Sequence, residues 1–116
     1  MDKNEVIEKV GWITKRKSIP PLTKEYIERQ YRFFENYVHF LQANGFTTKE
    51  ILKQDEKVTD ESEIKVGDLT EEGFNFYFYG IEAWIAKYDR AKDKDKAIDD
   101  FAFIEKKLNE FRNKNK

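Results

Sequence analysis

Four short segments of this chain share one helix start signal, which restricts the folds open to it. In each, an apolar residue precedes a side chain that can cap a helix, and a second apolar residue follows five positions after the first, as in a hydrophobic staple around an N-cap. The segments are Met1-Asp2 with Val6, Leu22-Thr23 with Ile27, Phe46-Thr47 with Ile51, and Leu69-Thr70 with Phe74. Glu5 and Glu50 complete a capping box at two of them. The signals predict helices that begin at Asp2, Thr23, Thr47 and Thr70.

The helix predicted over 23–43 has the clearest pattern in the chain. At about 100° per residue, its apolar side chains cover roughly half of the circumference and give it a wide core face. These side chains are Tyr26, Ile27, Tyr31, Phe33, Phe34, Tyr37, Val38, Phe40 and Leu41. We expect the helix to end at Asn44-Gly45, where glycine takes the left-handed conformation and Phe46 folds back onto Leu41 in a Schellman motif.

The same periodicity predicts a short helix over 47–54, a long helix over 70–90 and a last helix over 95–113. The long helix would turn Phe74, Tyr77, Phe78, Ile81, Trp84, Ile85 and Tyr88 toward the core. A strand over 74–79 is the alternative, because FNFYFY alternates and is rich in β-forming residues; the cap at Thr70 favours the helix. The last helix would turn Ala97, Phe101, Ile104, Leu108 and Phe111 inward. We expect the basic end, 113–116, to fray.

Residues 55–68 contain six acids and two lysines, which predicts an exposed acidic connection between helices. The 116 residues suffice for one core, and 16% of them are aromatic, so that core must be built largely from rings. We therefore predict one all-α domain over 1–116, a bundle of four to five helices with the second and the fourth at its centre.

Charge and cysteine content exclude several partners and compartments. With 22 basic and 23 acidic residues, the net charge of -1 provides no field that would attract nucleic acid or an anionic membrane. The chain has no cysteine and needs no oxidising compartment to fold. Its start, MDKNEVIEKV, lacks the pattern of a signal peptide, and no apolar run is long enough to cross a bilayer. We expect a cytoplasmic protein.

Two stretches of the chain carry a resemblance. FLQANGF at 40–46 and DLTEEGF at 68–74, the latter followed by Trp84, are similar to segments of small bacterial helical proteins of unknown function. The resemblance covers less than a quarter of the chain. It implies a stand-alone bacterial domain, and it assigns no activity and no site residue.

No catalytic, cofactor-binding or metal-binding residues are predicted. The single histidine, His39, lies at the centre of the polar face of the second helix, where we expect a solvated side chain rather than a catalytic base. One histidine and no cysteine exclude a zinc site built from those ligands. The acidic stretch lacks the glycine turn and closing glutamate of a calcium loop, and the five glycines stand apart rather than in a phosphate-binding loop.

The stretch LQANGFTTKEIL has the pattern of a helix-turn-helix, with Gly45 in the turn. A DNA-binding regulator that uses residues 33–57 is therefore the alternative function. Its recognition helix would be TTKEILKQDEK, in which Glu50, Asp55 and Glu56 would repel the phosphate backbone. The charge favours a plain helical hairpin, and we expect no nucleic-acid partner.

Four aromatic residues lie off the predicted core faces: Phe76, Tyr79, Phe103 and Trp12. A helix that is apolar almost all round is usually central and buried, which is one interpretation of Phe76 and Tyr79. The other is a contact surface for another protein chain, either a second copy or a different protein. We predict a non-enzymatic protein-binding domain of the kind found in small bacterial inhibitors and toxin-neutralising immunity proteins, with a domain of unknown function as the remaining possibility.

Overall fold

The structure is a computed structural model that describes residues 2–114. In chain order its elements are β1 (Val6–Lys9), α1 (Gly11–Thr14), α2 (Lys24–Ala43), β2 (Glu63–Lys65), a 3-10 turn (Val66–Asp68), α3 (Glu71–Phe76), a π-helical turn (Tyr77–Ile81), α4 (Glu82–Arg90), α5 (Lys94–Ile98) and α6 (Phe101–Lys114). The chain is mostly helical, as predicted. It is not purely all-α, because β1 and β2 form a small antiparallel sheet.

The predicted boundaries of α2 are confirmed. Thr23 caps its start, where the side-chain oxygen accepts a hydrogen bond from the backbone N–H of Tyr26 at 3.1 Å. At its end Gly45 has a φ of 74°. The N–H of Phe46 donates to the carbonyl of Leu41 at 3.0 Å, and that of Gly45 donates to Gln42 at 3.2 Å. These two bonds are those of a Schellman motif, so the helix ends as the sequence predicts.

The FNFYFY run is helical. Thr70 caps α3 by accepting from the N–H of Gly73 at 2.9 Å, and α3, the π-helical turn and α4 form one continuous path over 71–90, called here the central helix. Its buried residues are Gly73, Phe76, Tyr77, Gly80, Ile81, Trp84 and Tyr88. Before the π-helical turn this stripe is displaced from the predicted one, because a π turn adds a residue to the helical repeat. Phe78, predicted to be in the core, is 46% exposed.

The helix predicted to begin at Asp2 does not form. The Asp2 carboxylate accepts from the N–H of Asn4 at 2.8 Å in a tight turn, and Val6–Lys9 then pairs with Glu63–Lys65. The two strands are more than fifty residues apart in the sequence. A local start signal cannot reveal such a pairing. Only α1, with four residues, is helical in this part of the chain.

The short helix predicted over 47–54 is also wrong. The Gln42 side chain donates to the carbonyl of Leu52 at 3.0 Å and accepts from its N–H at 2.8 Å, like a neighbouring strand. Thr47 forms a β-bridge with Leu69, and the N–H of Thr48 donates to the carbonyl of Asp68 at 2.9 Å. These bonds engage the backbone groups that a helix would need, so the segment follows the surface as a series of turns.

The acidic stretch 55–68 is only partly the exposed connection that was predicted. Val58, Ile64 and Asp68 are buried, and the stretch contributes β2 and the 3-10 turn. Asp68 accepts from the N–H of Lys65 at 2.9 Å and pairs with Lys49 at 3.4 Å. The acids therefore include a structural carboxylate as well as solvated ones.

The last predicted helix is divided in two. Asp93 caps α5, the chain bends at Asp99 and Asp100, and α6 then carries Ile104, Leu108 and Phe111 into the core as predicted. Asn113 and Lys114 still belong to α6. The rest of the end predicted to fray, 115–116, lies outside the described residues.

The core lies between α2, the central helix and α6, and it is built from rings. Phe33 packs edge-to-face with Trp84 at 5.1 Å and stacks on Tyr88 at 4.6 Å, while Phe46 stacks on Phe76 at 5.0 Å. Such ring pairs add to the stabilisation that burial alone provides. Among residues 2–114, no helix has the length and apolar composition needed to cross a membrane.

Candidate functional site

Phe76 cannot belong to a contact surface, and that prediction is wrong. Its side chain is 0% exposed. Phe40, Phe46 and Phe111 pack around its ring, with centroids at 6.2, 5.0 and 5.3 Å. Gly80 leaves room for the same ring, since a Cβ atom there would stand 2.6 Å from it. Phe76 lies on the side of the central helix that faces α6. The apolar pattern of one helix does not show which of its sides a second helix will cover.

Tyr79 and Phe103 lie together on the surface formed by the π-helical turn and α6, where both are partly buried. The ammonium of Lys107 lies 5.6 Å from the Tyr79 ring centroid and 5.8 Å from that of Phe103. The Tyr79 hydroxyl donates to Glu110 at 3.2 Å, and Lys87 lies over Phe103 at 4.6 Å. Charged side chains thus cover much of these two rings.

Trp12 is 55% exposed on α1, whose main neighbours are α2 and β1 rather than α6. One acidic residue holds this short helix in place. The carboxylate of Asp60 accepts from the hydroxyls of Thr14 at 2.5 Å and Tyr31 at 2.7 Å, and its carbonyl accepts from the N–H of Gly11 at 2.8 Å. The bond from Thr14, and then that from Tyr31, lower the pKa of the Asp60 carboxyl. Trp12 is therefore an exposed ring on a fixed support.

A cleft of about 480 Å³ opens beside α1, and we call it the aromatic cleft. Its lining residues come from β1, α1, α2, α4 and the start of α5, from the residue between β1 and α1, and from the segment that follows α1: Glu8, Val10, Ile13, Arg16, Tyr26, Gln30, Phe33, Phe34, Tyr37, Ile85, Tyr88, Asp89 and Lys94. From Tyr26 to Tyr37 the cleft follows α2 for about 16 Å at 1.5 Å per residue. The volume is in the range of small-molecule sites.

Glu8, one of the two acidic residues that line the aromatic cleft, lies near two phenols, those of Tyr37 and Tyr77. Glu8 accepts from the hydroxyl of Tyr77 at 3.3 Å. Burial raises the pKa of the Glu8 carboxyl, although the bond from Tyr77 partly offsets that shift. Burial also raises the pKa values of Tyr77 and Tyr37, so both hydroxyls stay protonated near neutral pH. Glu8 is thus an acceptor held in a mostly apolar setting.

The other polar groups of the cleft are largely engaged with the protein. Arg16 donates to the hydroxyl of Tyr26 at 3.3 Å and lies over its ring at 5.8 Å. Lys94 donates to the carbonyls of Tyr88 at 2.8 Å and Asp89 at 2.6 Å at the end of α4. Two basic and two acidic side chains line the cleft, so it has no net formal charge.

Gln30 differs from Arg16 and Lys94 in having no side-chain hydrogen bond to the protein. It is 9% exposed and lies on the aromatic face of α2, one turn from Tyr26 and one turn from Phe34. No side-chain hydrogen bond reaches its amide within residues 2–114. Neither amide atom of Gln30 is among the buried side-chain atoms without a hydrogen-bond partner, so the amide reaches solvent within the cleft. Gln30 was not predicted as a site residue from the sequence.

The structure also describes the residues of the helix-turn-helix alternative, His39 and the acidic side chains that could bind a metal. The recognition helix required by the DNA-binding alternative over 33–57 is absent, since the residues after Thr47 form turns. His39 is partly buried rather than fully solvated. In the described part of the chain, no group of three or more His, Cys, Asp or Glu side chains is placed to hold a metal ion.

Comparisons of the chain with protein-family models, curated proteins and solved structures find no significant match. Two features of the described residues bear on function: the exposed Trp12 on its fixed helix, and the aromatic cleft beside that helix.

Proposed function

We propose that this chain is a non-enzymatic protein-binding domain that holds another protein chain through Trp12. The observation that carries the proposal is the combination of an indole ring that is 55% exposed with a short helix fixed to Asp60 by hydrogen bonds. Tryptophan is among the side chains most enriched at the energetic centres of protein interfaces.

The fixed support matters because binding must offset the conformational freedom that the interface loses. A mobile tryptophan on a loop would lose that freedom on binding, whereas α1 is already held in place before the partner arrives. Gly11 also lies so close to Asp60 that a Cβ atom at position 11 would stand 2.8 Å from its carbonyl oxygen. The support for Trp12 is therefore provided by the fold itself rather than by the contact with a partner.

Tyr79 and Phe103 are proposed as a second, weaker contact. Their rings are partly buried and covered by Lys87 and Lys107, so a partner would gain less apolar burial there than at Trp12. The finer form of the proposal is a cytoplasmic inhibitor or toxin-neutralising immunity protein of bacterial type. Such proteins act by covering a surface of their target, which is a role that a fixed aromatic anchor fits.

The test is capture from a lysate of the source cell with Trp12→Ala beside the unchanged protein. The matched control is Phe78→Ala, because Phe78 is also an exposed ring, 46% accessible, on a different element. A partner captured at stoichiometric yield should lose at least tenfold in affinity with Trp12→Ala, as for a truncated interface anchor of roughly 2 kcal/mol. It should be retained by Phe78→Ala.

Equal loss with both variants would indicate unspecific adhesion to exposed rings, and unchanged capture with Trp12→Ala would refute the proposal. Sedimentation velocity on the purified chain identifies the case in which the partner is a second copy. In that case the dimer should dissociate in Trp12→Ala and persist in Phe78→Ala. Circular dichroism on both variants verifies that neither is unfolded.

A further inference from the structure

The segment around Trp12 is basic, although the chain as a whole has a net charge of -1. Residues 9–17 contain no acidic side chain and four basic ones: Lys9, Lys15, Arg16 and Lys17. Two acidic residues bond to this segment, Asp60 and Glu61. The four positive and two negative charges leave an excess of two positive charges around α1.

Helical hydrogen bonds continue past α1 and place a basic residue one turn from Trp12. The N–H of Lys15 donates to the carbonyl of Gly11 at 3.0 Å, and the N–H of Arg16 donates to that of Ile13 at 3.4 Å. At helical spacing, residues three and four positions apart are neighbours on one face. Lys15 therefore lies on the same side of the helix as Trp12, and its side chain is 60% exposed.

The next two basic residues differ in how they are held. Arg16 is turned toward the hydroxyl and the ring of Tyr26. Lys17 is exposed and pairs with no carboxylate within residues 2–114. The charge of Lys17 is therefore available to a partner, as is much of that of Lys15.

Glu61 gives this region a mixed pattern of charge. Its carboxylate pairs with Lys9 at 3.1 Å and with Lys15 at 3.2 Å, and so links the residues before and after α1. We call the group formed by Trp12, Lys9, Lys15, Lys17 and Glu61 the α1 surface.

The mixed pattern favours a protein over an extended anion. The side chain of Glu61 is 67% exposed, so a membrane surface or a nucleic-acid backbone would bring its phosphates against this carboxylate as well as against the lysines. A protein can instead place single carboxylates opposite Lys15 and Lys17 and a hydrogen-bond donor opposite Glu61.

We propose that the protein held by Trp12 presents an acidic surface, with carboxylates opposite Lys15 and Lys17 around an apolar pocket for the indole. This inference rests on the proposed function, because it describes the chemistry of the partner that Trp12 contacts. Charges at the rim of an interface mainly set the rate of association and the choice of partner, whereas a central ring supplies much of the affinity. The two contributions can therefore be measured separately.

The test uses three twelve-residue peptides as probes. Each has four leucines and four serines, and its other four residues are all glutamate, all glutamine or all lysine. Nitrogen-15 NMR titration of the full chain at about 50 mM salt gives the dissociation constants and the contact positions together. The glutamate peptide should bind about tenfold more tightly than the glutamine peptide, since two or three exposed charge pairs form, and the lysine peptide should bind most weakly. The preference should fall to about twofold or less at about 500 mM salt, where charges are screened.

Two double variants separate the α1 surface from the overall charge of the chain. Lys15→Gln with Lys17→Gln should reduce the tenfold preference to about threefold or less. Lys53→Gln with Lys57→Gln is the matched control and should keep the preference. All four lysines are exposed and both double variants have the same net charge, so only the position of the lost charges differs.

Two single variants separate the charges from the ring. Glu61→Gln should strengthen binding of the glutamate peptide about threefold, because Lys9 and Lys15 lose their internal partner. Trp12→Ala should weaken all three peptides by a similar factor and should keep the preference for glutamate. Circular dichroism and thermal melting verify that every variant is folded.

The inference is overturned if no peptide binds at millimolar concentration, if the shifts lie away from the α1 surface, or if both double variants change the preference equally. Vesicles of phosphatidylcholine with phosphatidylserine, and a single-stranded oligothymidylate, are titrated in the same way. Tighter binding of either than of the glutamate peptide, lost in Lys15→Gln with Lys17→Gln, would also overturn it. If the preference is absent while Trp12→Ala still abolishes capture from the lysate, the acidic partner is refuted and the proposed function stands. If Trp12→Ala changes neither peptide binding nor capture, both fail.

Discussion

Gly73 lies directly against the backbone carbonyl of Phe46. A Cβ atom at position 73 would overlap that oxygen and would stand 2.8 Å from the Cβ of Phe46. The same carbonyl accepts a hydrogen bond from the N–H of Thr70 at 2.9 Å. The end of α2 and the start of α3 are thus joined at one peptide group. The segments FLQANGF, 40–46, and DLTEEGF, 68–74, therefore meet at this contact.

Replacement of this glycine should be more costly than replacement of the glycine in the Schellman motif. Gly73→Ala should lower the free energy of unfolding by about 2–3 kcal/mol, since the added methyl group must displace backbone. Gly45→Ala should lower it by about 1 kcal/mol, because Gly45 has open space around it and only its left-handed φ of 74° is unfavourable for alanine. Urea unfolding measures both values. The assignment of Gly73 to close packing is wrong if Gly73→Ala costs no more than Gly45→Ala.

Local start signals predicted the helices whose backbone bonds are all local. Thr23 and Thr70 cap α2 and α3 as the sequence indicates. The same signal fails at Asp2 and Thr47, because a distant segment supplies the hydrogen-bond partners there, β2 in the first case and Leu69 in the second. A single sequence contains no record of pairings between residues so far apart.

The sequence predicts the buried side of the central helix correctly only in the part of the chain that follows the π-helical turn. From Ile81 onward, each buried residue of the helix, among them Trp84 and Tyr88, is one that the sequence predicts to face the core. Before the turn the extra residue changes the phase, and the side of the helix that faces α6 adds a second buried face. Phe76 and Phe78 therefore exchange the roles that uninterrupted 3.6-residue periodicity gives them.

The exchange of roles between these two phenylalanines is open to measurement. Phe76→Ala should lower the free energy of unfolding by about 3–5 kcal/mol, as for other large-to-small changes of a buried ring. Phe78→Ala should change it by less than about 1 kcal/mol, since the side chain is 46% exposed. Denaturant unfolding with matched slopes for the two variants gives the comparison. Similar losses in both would show that Phe78 is also packed in the core.

Gln42 is one of the residues that keep 47–54 from forming a helix of its own, because its side chain bonds the backbone of Leu52. Gln42→Leu removes both hydrogen bonds to the backbone of Leu52, and we expect a loss of about 1–3 kcal/mol, because a part-buried N–H and carbonyl lose their partners. Hydrogen exchange at the N–H of Leu52 should become much faster, whereas exchange within α2 should change little. Gln54→Leu, at an exposed position, is the control and should leave both measurements unchanged. Unchanged protection of Leu52 in Gln42→Leu would contradict the assignment.

The partly buried carboxyl of Glu8 gives a prediction of pH dependence with a definite sign. Burial is the main cause that raises its pKa above the ordinary value of 4.5, Glu82 raises it further, and the bonds from Tyr77 and the Lys9 backbone lower it. Arg16, Asp89 and Lys94 line the same cleft, and the hydroxyl of Tyr37 lies near the Glu8–Tyr77 pair.

A carboxyl whose pKa is higher in the folded state than in the unfolded state favours folding only while it is protonated. Its contribution is complete below the unfolded pKa and is lost as the pH rises through the folded pKa. Glu8→Gln has no such loss, so its stability relative to the unchanged protein should rise as the pH increases from about 4 and should level off above the folded pKa. Tyr77→Phe removes a bond that lowers the pKa of Glu8, so in that variant the decline in stability should extend to higher pH.

Urea unfolding at a series of pH values, together with NMR titration of the Glu8 carboxyl, measures both effects. A Glu8 carboxyl that titrates at or below 4.5, or a stability difference between Glu8→Gln and the unchanged protein that stays constant with pH, would show that this carboxylate is well solvated and that its surroundings in the aromatic cleft are not apolar.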